Sequence, residues 1–229
     1  MLSVTGAIVT GSGRGIGRAV AIMLAQKGVD VTVCSRTPRE VDETVAEIVK
    51  IHRDVIGVTC DVGIASQVDM LVSRTVDKFG GVDILVNNAA VLYLKKLADT
   101  TEQEWDQTIN SNLKSAFLCC RAVLPYMKKA GTIINVSSGA GKTGFENLSA
   151  YCASKFGMIG LTESLSWEVQ GRTRVMAICP GDVDTAMQDV DPEYHRANKG
   201  RMLTAEQVAL KILEMIFDEK YRNGQSIDI

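Results

Sequence analysis

This chain of 229 residues lacks most of the features that mark specialised protein classes. Histidine occurs twice, and none of the six cysteines (Cys34, Cys60, Cys119, Cys120, Cys152, Cys179) forms a C-x-x-C pair. Metal-ligand spacing is missing, so no metal is expected. Four of the cysteines sit in apolar runs, which suits buried free thiols in a reducing compartment better than a disulfide framework. Aromatic residues make up only 5% and the net charge is -2. That leaves neither a base-stacking platform nor the basic face that nucleic acid requires. No apolar stretch approaches the ~20 residues of a membrane span. The opening "MLSVTGAIVTGSG" has no basic lead-in before an apolar run. No secretory signal is therefore expected, and the cytoplasm is the expected compartment.

What is present is an alternation. Apolar, β-branched runs at 4–10, 29–35, 55–60, 82–87, 131–137, 173–179 and 224–229 are separated by helical patterns at about 15–27, 38–51, 65–79, 101–129, 150–170 and 204–217. Pro38 opens the second helix, and Thr101 with Glu104 has capping-box spacing. Strands that are almost wholly apolar and alternate with helices imply a parallel sheet covered on both faces. Right-handed crossovers then make the fold class α/β: a Rossmann-type, doubly wound sheet of about seven strands flanked by helices on both faces. Only 4 prolines and no linker or repeat interrupt the pattern, so residues 1–229 read as one domain. The segment at about 184–203 is the one long excursion. It follows the carboxyl end of a strand, where ligands bind in such sheets, and reads as an irregular lid.

"VTGSGRGIG" joins the first strand to the first helix. Gly11, Gly15 and Gly17 permit a tight turn, close approach of backbone to phosphate, and close helix–strand packing. The helix N-terminus adds unsatisfied N–H groups and partial positive charge. Gly13 lies outside that spacing. The second strand ends at Ser35 with Arg36 behind it, where dinucleotide sites commonly carry an acid for the ribose hydroxyls. Asp30 is acidic but stands at the wrong end of that strand. A guanidinium suits a 2′-phosphate, and Arg14 could reach the same group, so NADP(H) is preferred and NAD(H) is the second choice.

"YCASK" places Tyr151 and Lys155 on one face of a helix, just after the Ser-rich "INVSSGAG". With these motifs in order, the chain strongly resembles the classical short-chain dehydrogenase/reductases. "TGSGRGIG" resembles the T-G-x-x-x-G-x-G loop, implying cofactor contacts from Gly11, Ser12, Gly13, Arg14, Gly15, Ile16 and Gly17. "CDV" puts Asp61 and Val62 beside adenine, and "NNAA" puts Asn87 and Ala89 near the cofactor. Ala90 there replaces a usual glycine and is expected to add a methyl group to a packed turn. "PGDVDT" resembles P-G-x-x-x-T, implying contacts from Pro180, Gly181, Val183 and Thr185. Asn112, Ser138, Tyr151 and Lys155 match the catalytic tetrad.

The resemblance implies an enzyme that moves hydride between a nicotinamide and a carbonyl carbon. Tyr151 is the acid/base, and Lys155 and the oxidised nicotinamide are expected to favour its phenolate. Ser138 steadies the substrate oxygen. Asn112 holds a water at a helix distortion, linking Lys155 to solvent. Lys155 also holds the nicotinamide ribose.

The pocket is expected between the 139–148 loop, residues 91–97 and the lid, with Tyr93, Leu94, Phe145, Met187, Tyr194, Lys142, Glu146 and Asn147. A small ketone, aldehyde or alcohol is the first substrate class. The runner-up is a 3-oxoacyl-[acyl-carrier-protein] reductase, with Lys128, Lys129 and Arg172 as a basic rim for the acidic carrier. A third reading, of another class, is an idle dinucleotide-binding sensor. His52 and His195 fit no Ser-His-Asp arrangement, and His195 reads as a surface residue. The helices at 101–129 and 150–170 carry apolar residues on more than one face, including Phe117, Leu118, Ile159 and Leu161, and the resemblance implies that they form a four-helix contact in a homodimer or homotetramer.

Overall fold

The computed structural model describes residues 6–51 and 54–229. Residues 4 and 5 of the expected first strand, His52 and the side chain of Lys129 lie outside the described residues. Seven strands form one parallel sheet: β1 (Gly6–Thr10), β2 (Asp30–Ser35), β3 (Val55–Thr59), β4 (Val82–Asn87), β5 (Met127–Val136), β6 (Thr173–Cys179) and β7 (Ser226–Asp228). Their order is β3-β2-β1-β4-β5-β6-β7. All pairs are parallel, with Ile8 opposite both Thr32 and Leu85. After β3 the chain returns to the other side of β1, so the loops leaving β1 and β4 diverge. A crevice opens there at the carboxyl edge of the sheet.

Helices cover both faces because the strands are apolar on both. On one face α1 (Gly15–Gln26), α2 (Pro38–Val49) and α8 (Ala205–Phe217) bury Leu24, Ile48 and Ile212 against Val9, Val33 and Ile178. On the other, α3 (Ala65–Phe79), α5 (Ser115–Val123) and α6 (Ser149–Glu168) bury Leu71, Leu118 and Leu165 against Ile8, Leu85 and Ile133. No helix among the described residues is long and apolar enough to cross a membrane.

The helix expected over 101–129 is not continuous. It starts where its capping box predicts, with Glu104 N–H donating to Thr101 Oγ1 at 3.2 Å, and runs as α4 (Glu102–Ile109). A π-helical turn, Asn110–Lys114, then separates it from α5. The rod stops at Val123 because Pro125 cannot donate the next helical N–H, and Met127 already belongs to β5. The lid is not irregular either. Asp191 caps α7 (Pro192–Asn198) by accepting from Tyr194 N–H at 3.0 Å, and Pro192 fills its first turn.

A buried polar relay fixes α6 on the sheet. Asn87 Nδ2 donates to Asn135 Oδ1 (2.8 Å), and Asn135 Nδ2 donates to Thr162 Oγ1 (2.8 Å). Asn135→Ala leaves both partners short of a hydrogen bond inside the protein. It should lower stability by roughly 1–3 kcal/mol in urea unfolding. A loss within error of zero would mean that the relay does not hold the helix.

Candidate active site

The four residues Asn112, Ser138, Tyr151 and Lys155 come from three parts of the chain: the π-helical turn, the segment after β5 and helix α6. Ser138 lies two residues past β5, and its Oγ accepts from Ala140 N–H at 3.1 Å to cap a short 3-10 turn. Tyr151 and Lys155 lie in the first two turns of α6, both buried. Ser138 lies near enough to the Tyr151 phenol to exert a small downward pull on it. Lys155 Nζ stands 5.5 Å from the centre of the Tyr151 ring and donates to Val136 O at 2.8 Å. Asn112, fully buried in the π-helical turn, grips Val91 twice: its Oδ1 accepts from Val91 N–H (2.8 Å) and its Nδ2 donates to Val91 O (2.9 Å). The same Nδ2 donates to Ser154 Oγ at 3.0 Å, tying the turn to α6.

The electrostatics run against one expectation. Burial pushes the Tyr151 phenol up to about 12, with only a smaller downward pull from Ser138. Burial also draws the Lys155 ammonium down to about 8. Both shifts favour the uncharged forms, so Lys155 by itself does not favour the phenolate. Desolvation outweighs the neighbour because both groups sit in the same low-dielectric interior.

A cleft of about 710 Å³ runs along the crevice; none of these four residues lines it, but Val91, the partner of Asn112, does. Gly11, Arg14, Gly15, Ile16, Ser35 and Arg36 line one part, and Asp61, Val62, Ala89 and Thr185 another. Gly11 has φ +62 and faces Ala89. A Cβ on Gly17 would fall 2.4 Å from Gly11 O, so only glycine lets α1 start this close to the turn. Ala90 faces the cleft instead of packing into a turn.

Other predicted residues stand behind the cleft. The Ser12 hydroxyl is spent internally, donating to Val9 O (2.6 Å) and accepting from Cys34 N–H (2.9 Å). Gly13 faces Glu40, and Asn87 is buried in the relay to Asn135. Pro180 O accepts from Gly139 N–H, Gly181 N–H donates to Ile229 O, and Val183 bridges to Leu203. Tyr93 and Met187 line the cleft as expected, whereas Phe145 points outward, about half exposed.

Three surface expectations need correction. His195 is half-buried, with Nε2 2.8 Å from Asp184 Oδ1 and Nδ1 3.4 Å from Asp189 Oδ1, because α7 folds back over the "PGDVDT" loop. Lys128 and Arg172 precede or begin strands, at the amino edge of the sheet and away from the cleft. Lys128 pairs with Asp83, and Arg172 donates to Leu124 O. They form no rim for a docking carrier. Leu118 is core; the exposed aromatics on α4, α5 and α6 are Trp105, Phe117, Phe156 and Trp167.

One residue escaped the sequence reading. Glu40 lines the cleft beside Ser35; its signal was its place in the first turn of α2, five residues past the strand end. Asn147, expected in the pocket, does not line this cleft; it adopts φ +63 with a buried, unpartnered Oδ1.

A doubly wound sheet with a glycine turn, a crevice and a buried Tyr–Lys pair defines a nucleotide-dependent oxidoreductase class. The chain matches the short chain dehydrogenase family over residues 5–195 and belongs to it; it is an oxidoreductase acting between CH–OH and C=O groups. It is 36% identical to a 3-oxoacyl-[acyl-carrier-protein] reductase of Thermotoga maritima, over 97% of this chain and 94% of that one. It is 41% identical to dehydrogenase/reductase SDR family member 4 of Sus scrofa, over 80% of this chain and 67% of the other. A short chain dehydrogenase from Burkholderia cenocepacia J2315, solved in complex with NADP, superposes with a TM-score of 0.92 at 31% identity, covering 97% and 95% of the two chains.

The Lys155 shift has a measurable sign. The native ammonium titrates near 8 against an ordinary 10.5, so the unfolded chain holds more protons between those values. Relative to Lys155→Met, wild-type stability should therefore rise with pH from about 8 to about 9.5 in urea unfolding. A level or falling difference would contradict a buried, desolvated ammonium.

Proposed function

We propose that the protein is an NADP(H)-dependent reductase that interconverts a ketone or aldehyde and an alcohol, with Tyr151 as the proton donor and acceptor. The observation that supports this reading is the close placement of buried Tyr151 and Lys155 beside Ser138, past the carboxyl end of β5, on the sheet edge that also carries a cleft suited to a dinucleotide.

The cleft suits that cofactor on its own geometry. Helix α1 begins there without a side-chain cap, so its first N–H groups are open to an anion such as a pyrophosphate. Arg36 and Arg14 would hold the 2′-phosphate, Asp61 and Val62 the adenine, and Thr185 the carboxamide. The relative solved with NADP supports the same choice. Bound, the coenzyme supplies the hydride.

The chain's own residues supply geometry and the proton. Tyr151 Oη donates its proton to the carbonyl oxygen in reduction and takes it back in oxidation. Ser138 Oγ, close to that phenol, holds the substrate oxygen as charge develops on it. Lys155 keeps two N–H donors beyond its bond to Val136 O, and these would reach the nicotinamide ribose. With its side chain committed to Val91 and Ser154, Asn112 would act through the backbone of the π-helical turn, holding the water that connects Lys155 to solvent.

A second reading keeps this chemistry and narrows the substrate to a 3-oxoacyl thioester on an acyl carrier protein. The 36% identity to the Thermotoga maritima reductase across nearly the whole of both chains favours it. Exposed Phe117 and Phe156 support a homodimer or homotetramer.

The test is NADPH oxidation with small ketones, aldehydes and 3-oxoacyl thioesters as acceptors. Tyr151→Phe should lower kcat by about 10²–10⁴ on every accepted substrate while NADPH still binds. Full activity in that variant would end the assignment of Tyr151, and preference for the thioester would select the second reading.

A further inference from the structure

We propose that Glu40 sets the balance between phosphorylated and unphosphorylated coenzyme, holding a carboxylate where the adenosine ribose of a bound dinucleotide carries its 2′ substituent. The inference rests on reading the cleft as a dinucleotide site.

The end of β2 offers no acid: Ser35 and Arg36 stand there, and Asp30 opens the strand. Glu40 restores one from the neighbouring helix. Its Oε2 accepts from Ser35 Oγ at 3.1 Å, and its Oε1 lies 3.8 Å from Arg14 Nε. It lines the cleft together with Arg14, Ser35 and Arg36, its side chain 26% exposed.

A glutamate at the third position of a helix commonly reaches back to the N-cap N–H. Glu40 does not. The Thr37 N–H donates to Ser35 Oγ at 3.3 Å, and Thr37 makes no side-chain cap bond. The carboxylate is turned from its own helix towards the glycine loop. Gly13 makes room for it: a Cβ there would fall 2.6 Å from Glu40 Cβ. The glycine that stands outside the phosphate-loop spacing thus has a physical reason.

A carboxylate accepts ribose hydroxyls and repels a phosphate dianion. It also engages Arg14, a guanidinium that would otherwise pair with the 2′-phosphate. Arg14 and Arg36 favour the phosphorylated coenzyme, Glu40 opposes them, and the chain accepts both.

The experiment is fluorescence titration of NADPH and NADH against wild type, Glu40→Gln, Glu40→Asp and Arg36→Asp, each checked for folding by thermal melting. Glu40→Gln keeps the size of the side chain and removes its charge. It should tighten NADPH relative to NADH roughly tenfold, the scale of one like-charge contact relieved. Glu40→Asp keeps the charge, and its ratio should stay nearer to wild type. An unchanged ratio in Glu40→Gln overturns the proposal. Arg36→Asp should move the ratio towards NADH. If it does not while Glu40→Gln still shifts the ratio, the role given to Arg36 fails and that of Glu40 stands. Failure of wild type to bind either nucleotide would overturn the dinucleotide reading itself.

Discussion

The seam between β5 and α6 is the contact on which the rest of the site depends. Lys155 Nζ donates to Val136 O, Ser137 Oγ donates to Lys155 O, and Asn135 Nδ2 donates to Thr162 Oγ1. Each bond is 2.8 to 2.9 Å long, and each joins the last residues of the strand, or the one just past it, to one face of the helix. An apolar seam would be non-directional and could slip by a fraction of a turn. Buried hydrogen bonds cannot, because any displacement strands donors and acceptors away from water. Tyr151, one turn before Lys155, inherits that fixed position.

Holding an ammonium and a phenol in so dry a place has an electrostatic consequence. The interior disfavours charge on both, and their proximity does not reverse this. In the proposed chemistry the missing bias enters with the oxidised nicotinamide, so proton transfer is coupled to occupancy of the cleft. The π-helical turn serves the same geometry from the other side. Asn112 spends its whole side chain on Val91 and Ser154, locking the segment after β4 to α6.

The outer part of the cleft is built on a different balance. There the groups are charged and partly exposed, and two arginines share a small volume with one carboxylate. Long side chains near solvent rearrange at little cost, whereas the tetrad cannot. Coenzyme preference is therefore the property of this fold most readily changed without touching the chemistry.

The sequence by itself determined the sheet class, the glycine turn and the placing of Tyr151 and Lys155 together on one helix. Continuous apolar, β-branched runs, capping signals such as Thr101–Glu104, and the four-residue spacing of Tyr151 and Lys155 are local codes, readable over a few residues. The tertiary structure alone decided what depends on distant partners. The helix read as 101–129 broke at Asn110–Lys114 because Asn112 bonds Val91 and Ser154, far along the chain. His195 was drawn from the surface by Asp184 and Asp189 as α7 folded over, and the basic trio fell at the wrong edge of the sheet because strand direction fixes which end a loop occupies. Glu40 became a cleft residue only when α2 packed beside the glycine loop. Burial and charge environment arise from the sum of such contacts, so the upward shift of Tyr151 could not be read from its neighbours in sequence.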